Sequence, residues 1–173
     1  GSAIGMRTNA AGSVTIKGGK IYAWKDPNGT TTSACKNGSL IVAEKGTITI
    51  EGGELYGSRA DTHGGAIFTN GNVYISGGLI TGSYGYNAGG VDCRGTEMVI
   101  SGGTITNNTN GTSARGNNVN MQNKNGVLTI SGGTIGGGVS VGTGAKLVLK
   151  NKPVIVNNVS GQYSRGDVQI IDS

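Results

Sequence analysis

The sequence "RADTHGG" places three side chains that can bind anions or exchange protons within five residues: Arg59, Asp61 and His63. His63 is the only histidine in the chain, and Asp92 is the next carboxylate after Asp61. Because a histidine near a carboxylate can act as a general acid or base, a catalytic site would consist of Arg59, Asp61, His63 and Asp92. The simpler interpretation, which we prefer, is that polar residues solvate a loop in which Asp61 accepts a turn hydrogen bond.

Aromatic side chains lie beside several polar loop sequences. Tyr22 and Tyr56 follow equivalent Gly-Gly pairs, and Tyr84 and Tyr86 lie within "GSYGYNAGG". Exposed Tyr and Trp offer a large ring and a hydrogen-bonding group, which suits sugar stacking and protein hot spots. The predicted ligand-binding residues are Tyr22, Trp24, Tyr56, Arg59, His63, Tyr84, Tyr86, Asn87 and Arg115. The alternative is that the rings only cover the flank of the fold.

Asparagine is concentrated between residues 107 and 123, in "NNTNGTSARGNNVNMQN". Its side chain both donates and accepts hydrogen bonds, and its backbone tolerates left-handed angles. We therefore favour a structural role for these residues at bends of the chain over direct contact with a ligand.

A short repeat must position all of these residues. The copies read "VTIKGGKI", "ITIEGGEL", "VYISGGLI", "MVISGGTI" and "LTISGGTI", and their second glycines are 34, 25, 25 and 30 residues apart. Apolar residues alternate before each Gly-Gly, and a period of two predicts strands. The predicted inward residues of the first strand are Val14 and Ile16, Ile48 and Ile50, Val73 and Ile75, Met98 and Ile100, and Leu128 and Ile130.

Two further strands are predicted in each repeat. The inward residues of the second strand are Ile21, Leu55, Ile80, Ile105 and Ile135. Those of the third strand are Leu40 and Val42, Ala66 and Phe68, Val91 and Cys93, Val119 and Met121, and Val139 and Val141. Three short strands joined by glycine corners predict one coil of a right-handed parallel β-helix, because glycine adopts the backbone angles that a sharp corner requires.

We expect about six coils, or roughly 29 Å of all-β solenoid at about 4.8 Å a coil. "LVLKNKPVIV" and "DVQII" supply the last coil, and "AIGM" is the third strand of a coil before the first Gly-Gly. Gly1 and Ser2 are interpreted as a vector scar, and residues 3–173 as a single parallel β-helix domain excised from a larger protein. On this assignment Cys35 and Cys93 lie roughly 9 to 10 Å apart, so two free thiols are predicted.

Variation between the coils is concentrated at the second corner. The inserted sequences are "AWKDPNGTTTSACKNG", "GSRADTHGG", "GSYGYNAGG" and "NNTNGTSARGNN". Insertions on one face of a solenoid usually mark its working face. The net charge of +5 comes from 14 Lys and Arg scattered along the chain. Without a clustered basic surface or an apolar run of about 20 residues, neither nucleic-acid binding nor membrane insertion is expected.

The "ISGGTI" coils resemble right-handed parallel β-helix modules of the pectate-lyase-like superfamily, and they are similar to adhesin-type Gly-Gly repeats in very large surface proteins of gut-dwelling Gram-positive bacteria. The superfamily includes polysaccharide lyases and glycoside hydrolases as well as adhesins and spacers. Its enzymes use carboxylates clustered on adjacent coils, to bind Ca²⁺ or to act as an acid and base pair. This chain has nine carboxylates, and the predicted neighbours of Asp92 are Ile67 and Asn120, so no acidic ladder is expected.

The resemblance therefore implies a non-catalytic binding or adhesion module, secreted or attached to the cell wall and flanked by other domains of its parent protein. Its expected partner is a host glycoprotein such as a mucin or an immunoglobulin, or a glycan, bound by the loops of the second corner. No metal or cofactor is expected. Two alternatives stay open: a polysaccharide lyase or glycoside hydrolase acting at Arg59, Asp61, His63 and Asp92, and a passive structural stalk.

Overall fold

A computed structural model describes residues 3–6, 12–23, 39–111, 118–156 and 168–171. These residues form strands and turns, and they include no helix long and apolar enough to cross a membrane. The strands belong to four sheets, in each of which all neighbours are parallel. Each strand pairs with the equivalent strand of the preceding and following repeat, so the chain winds as a parallel β-helix of about six coils. The predicted fold class is confirmed.

Three of the sheets run along the length of the solenoid. The first sheet contains β2 (Ser13–Ile16), β5 (Thr47–Ile50), β9 (Asn72–Ile75), β13 (Glu97–Ile100), β17 (Val127–Ile130) and β20 (Lys146–Leu149). The second sheet contains β3 (Lys20–Tyr22), β6 (Glu54–Tyr56), β10 (Leu79–Thr81), β14 (Thr104–Thr106), β18 (Thr134–Gly136) and β21 (Val154–Val156). The third sheet contains β1 (Ile4–Met6), β4 (Ile41–Ala43), β8 (Ile67–Thr69), β12 (Val91–Cys93), β16 (Val119–Met121), β19 (Val139–Gly142) and β22 (Val168–Ile171).

Equivalent apolar residues lie opposite one another in consecutive coils and form the core. The first sheet contributes one continuous row, in register and almost fully buried: Ile50, Ile75, Ile100 and Ile130. The second sheet contributes another: Leu55, Ile80, Ile105 and Ile135. Each such side chain stabilises the fold by about 1.5–3 kcal/mol through burial. The predicted inward residues of the first two strands are thereby confirmed for these coils.

The Gly-Gly pairs form the corner between the first and second sheets, and the two glycines have different roles. The second glycine of each pair has a φ of +79° to +84°, for example Gly53 and Gly103, which only glycine adopts at little cost. The first glycine leaves room for the preceding coil, because a Cβ on Gly102 would collide with the carbonyl oxygen of Ser76. The repeat therefore selects glycine twice, once for its backbone angle and once for its small size.

The predicted register of the early third strands is wrong by one residue. Ile67, not Phe68, lies opposite Val91 in the core, and Phe68 lies opposite Asp92 on the outer side of the sheet. Likewise Ile41 and Ala43 lie in the core, and Val42 aligns with Phe68. Leu40 and Ala66, which come just before these strands, belong to the buried core as predicted. On the outer side of the sheet the Phe68 ring has two polar partners. The His63 ring stacks on it at 4.2 Å between centroids, and the Arg94 guanidinium lies 5.1 Å from its centroid. The narrow aliphatic core would offer neither contact.

A fourth, unpredicted sheet lies at the second corner of the three middle coils. We call it the corner sheet; it contains β7 (Arg59–Ala60), β11 (Tyr84–Gly85) and β15 (Thr109–Asn110). The chain enters it through residues with positive φ: Gly57 at +76°, Gly82 at +63° and Asn107 at +54°. The inserted loops are therefore partly built from paired strands, and the middle coils have four strands each instead of the predicted three.

Both predicted outer coils are present. The "AIGM" sequence forms β1, which pairs with β4, and the last repeat provides β20, β21 and β22. Asn151 replaces a corner glycine there with a φ of +57°. Met121 and Cys93 pair in the core of the third sheet as predicted, and Cys93 is a free, buried thiol. Cys35 lies outside the described residues.

Candidate functional site

Tyr22 and Tyr56 form a stacked pair on the outer side of the second sheet. They are opposite one another on β3 and β6, and their rings are 5.0 Å apart between centroids with an interplanar angle of 15°. The prediction that they stack on consecutive coils is confirmed. One face of each ring covers the other, and Tyr22, which lies on the terminal strand of the second sheet, remains 54% exposed.

Arg59, Asp61 and Tyr84 form a second group on the corner sheet. Arg59 and Tyr84 are opposite one another on β7 and β11, and the guanidinium carbon of Arg59 lies 4.5 Å from the centre of the Tyr84 ring. Arg59 Nε also lies 3.4 Å from Asp61 Oδ1, with about half of each side chain exposed. This geometry combines a cation–π contact with a surface ion pair, so Arg59 is held in one orientation by two partners.

Tyr86 is the most exposed aromatic side chain beside this group, at 47%. Gly111, on the next coil, leaves the space that both rings occupy, because a Cβ there would lie 3.3 Å from the Tyr84 ring and 3.3 Å from the Tyr86 ring. Tyr84 thus lies between Arg59 on one side and Gly111 on the other. Tyr86 is the ring of this pair that is available to a ligand.

The two groups lie on either side of one corner. Tyr56 ends β6, and Arg59 begins β7 after only two intervening residues, so their Cα atoms are at most about 11 Å apart. Along the solenoid axis the groups span three consecutive coils, or roughly 10 Å. We call this surface the second-corner ridge; it consists of Tyr22, Tyr56, Arg59, Tyr84 and Tyr86.

His63 lies away from the ridge, over the outer side of the third sheet. Its ring stacks on Phe68, and Nδ1 lies 3.0 Å from a terminal nitrogen of Arg94. Because a guanidinium only donates, Nδ1 must accept, and the neutral ring carries its proton on Nε2. Burial lowers the pKa of His63, and the positive charge of Arg94 lowers it further against a smaller opposing effect of Asp92. The imidazole is therefore neutral, and the lone pair of Nδ1 already accepts a hydrogen bond from Arg94.

Asp92 is fully buried although it lies on the outer side of its strand. Oδ2 accepts a hydrogen bond from Asn87 Nδ2 at 2.9 Å, and Oδ1 accepts one from Asn120 Nδ2 at 2.6 Å. Arg94 Nε lies 4.0 Å from Oδ2, and Ser140 Oγ donates to Asn120 Oδ1 at 2.8 Å. The carboxylate is the centre of a polar network that links three coils, and burial without such partners would cost several kcal/mol.

The predicted catalytic residues thus fall into two groups. Arg59 and Asp61 pair on the surface, whereas His63 and Asp92 are joined through Arg94, which is not among the predicted site residues. The sequence contains a signal for Arg94: it is two residues after Asp92, and alternation along a strand places such residues on the same side of the sheet. The strand neighbours of Asp92 are Phe68 and Asn120, which corrects the predicted Ile67 on one side.

The other predicted ligand-binding residues differ in accessibility. Asn87 is only 5% exposed, and its side-chain amide donates a hydrogen bond to Asp92. Trp24 and Arg115 lie outside the described residues. Among the residues that are described, no three His, Cys, Asp or Glu side chains come together as metal ligands.

The buried asparagines close the corners of the solenoid. Asn108 accepts a hydrogen bond from the Ser83 backbone at 3.0 Å and donates to the Ile80 carbonyl at 3.0 Å. It also donates to Asn118 Oδ1 at 2.6 Å, and Asn118 donates to the Gly136 carbonyl at 2.7 Å. The structural role predicted for asparagine is confirmed at these two positions.

Comparisons of the chain with models of protein families, with curated proteins and with solved structures each found no match. The parallel β-helix is therefore established by the strand pairing, and the superfamily remains a resemblance carried by the Gly-Gly repeats.

Proposed function

We propose that this protein is a non-catalytic binding or adhesion module of a cell surface, and that the second-corner ridge recognises a host glycoprotein or its glycan. The observation that carries the proposal is the ridge itself. Four tyrosines and an arginine, the residue types enriched at binding hot spots, are grouped on consecutive coils around one corner.

The ridge is supported by rigid elements. Tyr22, Tyr56, Arg59 and Tyr84 all lie on strands that pair in register with their neighbours, and each contacts another member of the ridge. Side chains held in this way lose little further entropy when they bind, which favours affinity. A module that acts only as a stalk would have no need for such an arrangement of exposed aromatic rings.

The geometry of the predicted catalytic residues supports a binding function better than a catalytic one. A general base needs an accessible lone pair, whereas His63 accepts from Arg94 at Nδ1 and carries its proton on Nε2. An acid and base pair needs two carboxyl groups that reach one substrate, whereas Asp92 is enclosed and Asp61 lies on the surface beside Arg59. The described residues therefore support a polysaccharide-active enzyme less well than a binding surface.

Binding of the labelled protein to a single array of glycans, mucins and immunoglobulins tests the proposal. We expect signals confined to one of these classes, and we expect Tyr86→Ala to weaken the signal at least fivefold, because truncation of a hot-spot side chain typically costs more than about 1 kcal/mol. The matched control is Tyr74→Ala, which removes a tyrosine from the outer side of the first sheet. A blank array would overturn the proposal in favour of the stalk, and equal losses in the two variants would remove the ridge as the binding surface.

A further inference from the structure

We propose that the coil formed by β20, β21 and β22 is a docking surface for a coil of a different β-solenoid, one that carries a carboxylate at the corner between its first two strands. We call the coil of β20, β21 and β22 the terminal coil. It is distinct from the second-corner ridge, so docking there does not depend on the proposed binding function. Three features of the terminal coil carry this assignment: its strand edges, its apolar side chains and its charge.

The three long sheets all end at the terminal coil. β20, β21 and β22 are the last strands of the first, second and third sheets, and among the described strands each has a partner on one side only. The open edge of such a strand presents N–H and C=O groups that can pair with a further strand. Because the three edges lie at the same end, a whole coil can add there by parallel strand pairing, as the coils of this protein add to one another.

The apolar rows of the core are also open at this end. Leu149 lies opposite Ile130 and continues its row, yet Leu149 is 52% exposed whereas Ile130 is fully buried. On β21, Val154 and Val156 are each 47% exposed. An added coil would cover Leu149 as the terminal coil covers Ile130, so docking removes apolar surface from water.

The charge of the terminal coil is positive. Residues 139–156 include Lys146, Lys150 and Lys152 and contain no Asp or Glu. Lys150 directly follows β20, and Lys152 lies in the same corner before β21. Within the described part of the chain, neither of these two lysines forms an ion pair. A coil that docks there therefore meets two uncompensated positive charges.

The opposite end of the protein shows which charge complements a lysine at this corner. Lys17 Nζ lies 3.8 Å from Glu51 Oε2 on the next coil. Lys20 Nζ lies 3.1 Å from Glu54 Oε2 on the same coil. Lys17, Glu51 and Lys150 each directly follow a strand of the first sheet, so they occupy one column along the axis. A coil with a glutamate in this column complements Lys150 as Glu51 complements Lys17.

The same charges disfavour a second copy of this chain as the occupant. The other ends of the three sheets are β1, β2 and β3, so two copies could match strand for strand when stacked head to tail. Such a stack would bring Lys17 of one copy next to Lys150 of the other, and Lys20 near Lys152. Like charges on directly opposed strands repel, so charge selects an acidic partner coil over another copy.

A cycle of charge changes at the two ends tests the proposal with the chain itself as the probe. The first set makes the first coil acidic by exchanging each lysine with its glutamate, which keeps both ion pairs and the net charge: Lys17→Glu, Lys20→Glu, Glu51→Lys and Glu54→Lys. The second set makes the terminal coil acidic: Lys150→Glu and Lys152→Glu. The parent, each set alone and both sets together are compared by sedimentation equilibrium, once circular dichroism has shown that they are folded.

We expect the variants with unlike charges at their two ends to self-associate at least about tenfold more tightly than the parent, and the combined variant to behave like the parent. Raising NaCl from about 50 to about 500 mM should weaken this association, because salt screens exposed charges. Leu149→Gln, added to an associating variant, should weaken it by about fivefold, which locates the contact at the terminal coil. If the first set prevents folding, the second set alone is sufficient, since both of its changes are at exposed side chains.

Failure of every folded variant to associate would overturn the proposal, because the ends would then not accept a coil of either charge. Association of the parent as tight as that of the variants would make a second copy the occupant and would overturn the acidic partner. Association that is unaltered by Leu149→Gln would place the contact elsewhere and would also refute the assignment. None of these results bears on binding by the second-corner ridge, which the array measures separately.

Discussion

At the scale of single residues, Arg94 determines what its neighbours can do. Its guanidinium lies beside Nδ1 of His63, 4.0 Å from Asp92 Oδ2 and over the ring of Phe68. One cation thus occupies the lone pair of the only histidine, faces the buried carboxylate and covers an aromatic ring. Residues that would be catalytic candidates on their own are structural partners once Arg94 is included.

This arrangement predicts a stability that falls at acidic pH. The pKa of His63 is lowered in the folded protein from its usual 6.5, mainly by burial and then by Arg94. As the pH falls through about 6.5, the unfolded chain binds a proton that the folded state resists, so the free energy of unfolding decreases until the lower folded pKa is passed. Urea denaturation of the parent and of His63→Gln, at about pH 7.5 and about pH 5, measures the difference.

The variant keeps a hydrogen-bond acceptor for Arg94 but does not titrate, so the parent should lose more stability than the variant over this interval. Parallel losses would mean that carboxylates alone account for the acid sensitivity.

Alternation along the chain is enough to place Asp92 and Arg94 on one side of a strand. The contact between Arg94 and His63 joins residues 31 positions apart in different coils, so no local pattern contains it.

At the scale of elements, the corner between the first two sheets is the best-determined part of the fold. Each Gly-Gly pair follows an alternating strand and precedes another, and the structure has a corner at each of the five. The corner sheet escaped prediction because its strands are two residues long, too short for any periodicity to appear. The register of β8 was mistaken because both Ile67 and Phe68 are apolar, and composition alone does not distinguish a core residue from one covered by a loop.

The first glycines of two corners provide a matched test of close packing between coils. A Cβ on Gly102 would collide with the carbonyl oxygen of Ser76, whereas a Cβ on the equivalent Gly18 of the first coil meets no atom of the described residues within 4 Å. Gly102→Ala should therefore lower the free energy of unfolding by about 1–3 kcal/mol, because the neighbouring backbone must move.

Gly18→Ala should leave stability unchanged or raise it by up to about 1 kcal/mol, since alanine restricts the unfolded chain more than glycine does. Thermal and chemical denaturation of the two variants gives both values. Equal destabilisation of the two variants would show that close packing between coils is not what selects glycine at the first position of each pair.

At the scale of the whole molecule, the described strands form a one-dimensional stack. Each strand pairs only with its equivalents in the coils before and after it, so cohesion along the axis depends on contacts between neighbouring coils. Five repeats and two partial ones in the sequence were sufficient to predict about six coils and the apolar rows within them. How the loops cover the outer side of the third sheet was not predictable, because it depends on contacts such as Asn87 with Asp92 and His63 with Phe68.

Alkylation of the buried Cys93 thiol tests whether the middle coils can open locally while the rest of the protein stays folded. Burial raises its pKa to about 12, so hardly any reactive thiolate is present near neutral pH. In a Cys35→Ser background, we expect alkylation of the native protein to be at least about a thousandfold slower than alkylation of the unfolded chain. Mass spectrometry after quenching, at increasing urea concentrations, measures the modified fraction.

Modification should rise together with the loss of the β-sheet circular dichroism signal if the described coils unfold as one unit. Rapid labelling while that signal is intact would instead show that the third sheet opens at β12 without global unfolding.

The corner loops begin and end at strands whose partners lie in other coils. Val91 comes 13 positions after the corner glycine Gly78, and Val119 comes 16 positions after Gly103, yet β12 and β16 pair in exact alignment. A gene for such a protein can therefore lengthen or rewrite one loop while the inherited framework and the remaining loops stay as they were. The surface of such a solenoid can therefore change one coil at a time while the strands that build it stay the same.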